Sequence, residues 1–508
     1  MKMKKDRLLG VLLTICILLV FYFTVRALYF GAFAFWFDPA RDLGLGLANL
    51  KKLSLIGHPS GGLAGVFYGP YYIWFISFAE LISKDPRWVW FMVATVPYFT
   101  LFPLALYKLR KYADVTTLLG FFLLFLLSFN NYSQVWNPNP VPIMYLFTVY
   151  FASKVAFRKK IGIIYAILTG LSAGLIANFH MSYGIAIVIS FFLIFLSDMA
   201  LHFFLKSKER LLLLKSKIIS LTGYVTGVFL TYVPFLLFEL RHGFNQTKII
   251  IENFELGLKG TSLNLGQGFS KTGIINFFFM QGGKLLHLSP FLLVLFFLAS
   301  FGYIFFVSYK RKKKPFNPDE KQLLILVTVN AVVVLFIFLS TKNPVYDYFF
   351  IGIEMFFFLI AILIIKKIPF VRFFFIGLAL YLFMIRLSGE LRTFHAKNTS
   401  SNYESKRKTV EMMFDDVKKS PFTVFIYDPA IYTFDYDYII EMYREKYGFG
   451  PSREKSQDRI VYVILPQNKN QGALQSFTDY HTPNNEYKTT ERWMMDDETV
   501  VLRRERLR

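Results

Sequence analysis

The chain begins MKMKKDRLLGVLLTICILLVFYFTVRALYFGAFAFWFDPARD, residues 1–42, and the reading of this stretch decides the fold. A basic head precedes an apolar run from Leu8 to about Tyr29, long enough to cross a bilayer as a helix. No small-residue cleavage site stands before the aromatic run YFGAFAFWF, so the segment is expected to be a retained anchor and not a cleaved signal peptide. Two carboxylates, Asp38 and Asp42, follow at once.

Working outward, the same apolar signature recurs near 68–83, 88–107, 115–129, 141–157, 161–177, 183–205, 220–238, 286–308, 322–340, 347–365 and 369–388. With 55% hydrophobic residues, the chain lies outside the usual soluble balance. Spanning segments must satisfy their backbone groups internally, so the expectation is an all-α polytopic membrane bundle of about 11–12 transmembrane helices, multi-pass in the cell membrane. The net charge of +23 does not call for nucleic acid. Much of it sits in short clusters between spans, at 108–111, 158–160, 206–217, 310–314 and 366–367, which is the positive-inside pattern. If every cluster is cytoplasmic, only eleven crossings fit, and segment 68–83 is the one whose crossing is in question. The single cysteine, Cys16, excludes a disulfide framework and a cysteine metal site.

Two long connections, 31–67 and 239–285, fall on the expected outer face and suggest the rim of a cavity. Around DLGLGLANLKKLSLIG the first is amphipathic enough for one or two short interfacial helices. From 389 the composition becomes that of a soluble unit. FTVFIYD (422–428) and RIVYVILP (459–466) read as buried strands, and YDYIIEMYREKYG (436–448) as a helix between them. The expected division is a transmembrane domain over 1–388 and a small C-terminal α/β domain over 389–508 on the extracytoplasmic side.

Asp38 and Asp42 are four apart, on one face of a helix. Asp38 before Pro39 also has the pattern of an N-cap with proline at the first helical position, and Asp42 can pair with Arg41. FDPARD after the first span, then YGPYYIWF, then alternating spans to a second outer loop opening PFLLFELRHGF (234–244), then a soluble tail, together resemble a family. The resemblance is to GT-C membrane glycosyltransferases of the protein O-mannosyltransferase and aminoarabinose transferase class (glycosyltransferase family 39-like), and it covers about residues 8–388. It implies a sugar carried on a polyprenyl phosphate, transferred to a glycan, lipid or protein acceptor, with Asp38 on the family's catalytic aspartate. Asp42 is the second catalytic candidate. Gly69 and Pro70 stand where the family has two prolines. The loop NNYSQVWNPNPVP (130–142) offers Asn137 and Asn139 where aminoarabinose-transferring relatives carry a carboxylate. Asparagines are poor ligands for hard cations, so no metal ligand is named, no cofactor is assigned, and dependence on a divalent cation is doubtful.

For the donor phosphate the leading candidate is Arg241, whose guanidinium presents paired donors, with His242, Lys271 and Lys284 behind it. His58 in IGHPSGG, His180 in ANFHMSYG, Tyr346 and Asp347 at the mouth of a span, and Glu354 a turn inside it complete the substrate-binding candidates. Each has a plain alternative: loop ordering for His58, a rigid turn for WNPNP, an interfacial belt for the tyrosines. Glu80 reads mainly as the end of its segment. A transporter or flippase of lipid-linked sugars, and a polysaccharide polymerase or ligase, are the competing functions; the first requires neither the long first loop nor the soluble tail.

Overall fold

The computed structural model describes residues 2–60, 65–158, 162–203, 210–259, 269–341, 345–392, 403–428, 433–452, 458–466 and 470–507. Parts of both long loops (61–64 and 260–268) and two of the lysine clusters (159–160 and 206–209) therefore lie outside the described residues.

Among the described residues, eight helices are long and apolar enough to cross a membrane: Asp6–Tyr29, Pro86–Lys108, Met181–Phe203, Leu211–Arg241, Pro290–Lys310, Pro318–Ser340, Asp347–Lys367 and Pro369–Arg392. Three shorter apolar helices, Val115–Ser128, Val141–Val155 and Ile163–Phe179, continue the alternation between the two ends of the bundle. Segment 68–83 does not join them. It folds as Tyr71–Glu80, ten residues or about 15 Å of helix, half of a hydrocarbon core of about 30 Å. The twelve-crossing count fails on that segment.

The bundle has two chemically different ends. At one end the basic residues gather among carboxylates: Arg158 pairs with Asp319, Lys366 and Lys367 reach Glu320 at 3.0 and 2.6 Å, and Arg372 meets Asp6 at 2.8 Å. At the other end the loops lie on one another. His180 bonds the carbonyl of Tyr348 at 2.8 Å, Asn137 that of Phe179 at 2.6 Å, and the Phe269 amide that of Val345 at 3.0 Å.

The first long loop becomes a single helix, Phe37–Lys51, whose buried face (Ala40, Leu43, Gly46) packs on Tyr71–Glu80. The two helices approach closely because position 46 is glycine: a Cβ there would lie 2.3 Å from Glu80 Oε2. Beyond the rim helix the chain doubles back, Pro59 bridging Phe67. Gly69 then passes so near Asn178 that a Cβ would fall 1.4 Å from its Oδ1, which is a physical reason for glycine at that position of YGPYY. The second long loop contains two helices, Asn245–Lys259 and Lys271–Leu286.

The C-terminal unit is a four-stranded sheet, β1 Phe422–Ile426, β2 Ile460–Leu465, β3 Tyr487–Met494 and β4 Val500–Arg506, in the order β1-β2-β4-β3. β1 and β2 are parallel and joined through helix Phe434–Tyr447; β4 runs antiparallel to both β2 and β3. The unit is fastened to the loop end. The Tyr403 amide donates to Phe33 O at 3.0 Å, Lys406 to Phe35 O at 2.8 Å, and the Tyr438 hydroxyl to Lys84 O at 2.7 Å and Glu80 Oε1 at 3.2 Å.

Candidate active site

The rim helix starts two residues earlier than its sequence suggests, at Phe37 and not at Pro39. Trp36 is the cap, in extended conformation, and no side chain caps the helix. Asp38 therefore sits at the second helical position and is not an N-cap. Its carboxylate turns along the helix to Arg41, Oδ1 lying 2.8 Å from Nη1. The capping role fails because Phe37 is already helical, and the neighbouring guanidinium then takes the carboxylate.

Arg41 also holds Asp42, with Nη2 and Nε at 2.8 and 2.9 Å from the same Oδ1. One guanidinium thus serves two carboxylates of different exposure. Asp38 keeps 24% of its side-chain surface; Asp42 keeps none. Asp42 Oδ2 is buried without a partner among the described residues, as is the Tyr72 hydroxyl, which feels the charges of both Asp42 and Arg41. Burial raises the carboxyl of Asp38 above the ordinary range and that of Asp42 to about 7, with Arg41 opposing in each case.

His58 is buried and stacks on Tyr68, ring centroids 4.3 Å apart. Burial, with Arg41 adding to it, pushes its imidazole down to about 3, which disfavours the cationic form at physiological pH. Tyr68 lies within electrostatic range of Asp38 and Arg41, and Tyr348 within range of Tyr68 and Asp38. The rim helix, Tyr68 and the 346–350 turn therefore converge on one region. Sequence reading treated Arg41 only as a partner for Asp42 and did not single out Tyr68, Tyr72 or Tyr348. The i, i+3 spacing of Asp38 and Arg41 was the available signal.

The remaining candidates fall into two groups. Around the convergence, His180 Nδ1 accepts from the Tyr183 amide at 3.4 Å while Nε2 donates to Tyr348 O, a single neutral tautomer that ties two turns together. Tyr346 stacks on Tyr348 at 5.9 Å, Asp347 accepts from the Tyr348 amide at 2.8 Å, and buried Glu354 accepts from the Gly352 amide at 2.9 Å. The side-chain amides of Asn137 and Asn139 donate to backbone carbonyls, Asn139 to Gln134 O at 2.6 Å, as the braces of a turn do. Farther out, Arg241 is exposed at the end of its helix. Glu239 is not its partner, since that carboxylate accepts from the Thr247 amide and hydroxyl at 2.8 and 2.7 Å. His242 stacks on Phe238 at 4.0 Å and bonds its carbonyl. No bond joins Arg241 or His242 to the rim cluster among the described residues. The two long loops do meet: the Phe67 amide donates to Gln246 Oε1 at 2.7 Å.

No family model and no curated protein matches this chain. Solved structures do. The fold resembles that of ArnT. ArnT from Cupriavidus metallidurans in the apo state aligns with a TM-score of 0.57 at 10% identity, and the same protein bound to undecaprenyl phosphate with 0.54 at 11%. Each alignment covers 97% of both chains, so the likeness takes in the bundle, both long loops and the C-terminal unit. At this identity what is shared is the fold.

Proposed function

We propose that the chain is a membrane glycosyltransferase that moves a sugar from a polyprenyl-phosphate carrier to an acceptor hydroxyl of a glycan, lipid or protein. The observation that carries this reading is the 97% coverage of a fold whose ArnT example binds undecaprenyl phosphate, combined with a half-buried carboxylate at the start of the rim helix. The acceptor oxygen attacks the anomeric carbon, its proton passes to Asp38, and the bond to the phosphate oxygen breaks to release polyprenyl phosphate. Asp38 suits the base because it is the exposed member of the pair and its basicity is raised by burial. Arg41 fixes its direction, and Asp42 holds Arg41 from the sealed side.

The leaving phosphate gains charge and needs a cationic donor. Arg241, exposed and without an ion pair among the described residues, is assigned that contact, on a segment that reaches the first loop through Gln246. The Arg241→Ala variant is expected to lose about tenfold to a hundredfold in donor affinity, with Lys a partial substitute that keeps charge without the fork. The loop end and the C-terminal unit are assigned to the extracytoplasmic side, since the basic end is the cytoplasmic one by the positive-inside rule. Cysteine labelling from outside intact cells, in a background lacking Cys16, checks that assignment.

The test of the mechanism is single-turnover transfer by nanodisc-held protein. Asp38→Asn keeps size and removes the base, so transfer is expected to fall by roughly a hundredfold to ten-thousandfold with folding intact. Asp42→Asn is the matched comparison and loses less. Near-normal transfer by folded Asp38→Asn refutes the base assignment.

A further inference from the structure

The C-terminal unit carries a half-open cleft of about 940 Å³ away from the rim cluster. It arises from the sheet. Helix Gln471–His481 covers β1 and β2, with Phe477 on Tyr427, His481 on Phe425 and Leu474 in one small core with Val461 and Val463. β4 and β3 extend past the helix, and their uncovered face is the floor. Val500, Leu502 and Arg504 alternate along β4 onto that face, while Gln471, Gln475 and Thr478 project from the helix as one wall. An apolar floor flanked by amides and a hydroxyl matches a sugar ring, which offers C–H faces and a rim of hydroxyls.

Arg504 makes the cleft selective. It is only 3% exposed, yet Nη2 bonds only neutral oxygens, Asn484 Oδ1 at 2.7 Å and Tyr487 O at 3.0 Å, and Nε is buried without a partner among the described residues. Its sequence neighbour on the opposite face is treated differently: Arg503 has Asp416 at 3.0 Å and Glu505 at 2.8 Å. Arg492 and Glu498 also line the cleft, and their charges offset each other. Asp479 acts on Arg504 only at longer range and is itself held by Gln475 at 2.9 Å. A buried guanidinium with no direct ion pair among the described residues is costly, and an anion entering the cleft relieves that cost. We propose that this cleft binds an acidic saccharide, a sugar bearing a carboxylate or a phosphate, with Arg504 as the anion contact. The site is separate from sugar transfer and does not depend on the reading given above.

The experiment measures direct binding to full-length protein in phosphatidylcholine nanodiscs, using tetraglucuronate, glucose 6-phosphate and neutral cellotetraose. At least one acidic probe is expected to bind about tenfold or more tighter than the neutral one, the order of a single charge-assisted contact. Comparing the two acids tells whether carboxylate or phosphate is the better match. Arg504→Gln is expected to abolish the acid preference. Because a buried arginine can be needed for folding, Thr489→Trp, on an exposed cleft position, provides a second variant that fills the site and leaves the guanidinium in place. It is expected to remove acid binding from a protein with an unchanged unfolding temperature. Equal affinity for acidic and neutral probes, no binding of either acid, or acid binding that survives Thr489→Trp overturns the proposal.

Discussion

Asp42 and Glu320 are both sealed from solvent, at opposite ends of the same bundle, and their surroundings differ in one respect. Glu320 is fully partnered: Lys366 and Lys367 take its two oxygens, and the Asn317 amide donates to Oε2 at 2.9 Å, completing a capping box. Asp42 shares a single guanidinium with Asp38, and its Oδ2 has no partner among the described residues. A buried carboxylate that its own chain satisfies holds helices together. On the proposed reading, one left partly unsatisfied, next to a second carboxylate that reaches solvent, is where a catalytic group would sit. The fastening lies at the basic end and the under-satisfied pair at the loop end.

The largest effect that sharpens this contrast is expected from Arg41→Gln. One substitution frees Asp38 from its fixed direction and strips Asp42 of its cation, so transfer should fall by roughly a hundredfold, the size of a small misplacement of a catalytic group. Glu320→Gln should leave transfer per folded molecule unchanged while lowering thermal stability, because it leaves two lysines facing a neutral amide. If the two variants exchange phenotypes, the contrast is wrong.

A smaller effect comes from proton linkage at Asp42. Its carboxyl titrates near 7 in the fold against 3.8 ordinarily. Between those values the unfolded chain has lost the proton and the native one retains it, so this group's stabilising contribution declines as pH rises across the window and levels off above about 7. The Asp42→Asn variant stays neutral throughout and should flatten that slope, which unfolding midpoints measured across the window will show. The smallest effect belongs to a brace: Asn137→Ala should cost about 1 kcal/mol of stability through one lost hydrogen bond and leave donor affinity nearly unchanged. A large loss of affinity would instead place Asn137 at the substrate site.

Much of the fold was legible because its signals are local. Eleven apolar helices, β1, β2 and the helix between them all follow from hydrophobic runs or their period. β3 and β4 were missed. YKTTERWM and VVLRRER carry charges on most positions of one face, and a strand beside an open cleft has no continuous apolar face to announce it. The helices of the second long loop were hidden for a similar reason, being mixed in polarity. At the site, position 38 was legible but its local role was not. A cap and an ion pair use the same residue types, and which one forms depends on where Trp36 ends the extended backbone. Arg41 as a hub, and Glu80 as an anchor for Tyr438, require tertiary contacts that spacing alone does not encode.

Transfer from a lipid phosphate is tested most directly by turnover of the purified protein. A panel of polyprenyl-phosphate sugars is offered with glycan, lipid and peptide acceptors, and free polyprenyl phosphate and acceptor-linked sugar are both quantified. The expected result is one donor whose polyprenyl phosphate is released in step with the new glycoside, at a rate that Asp38→Asn lowers by roughly a hundredfold to ten-thousandfold. Movement of intact lipid-linked sugar across the bilayer, with neither product formed from any donor, would contradict it.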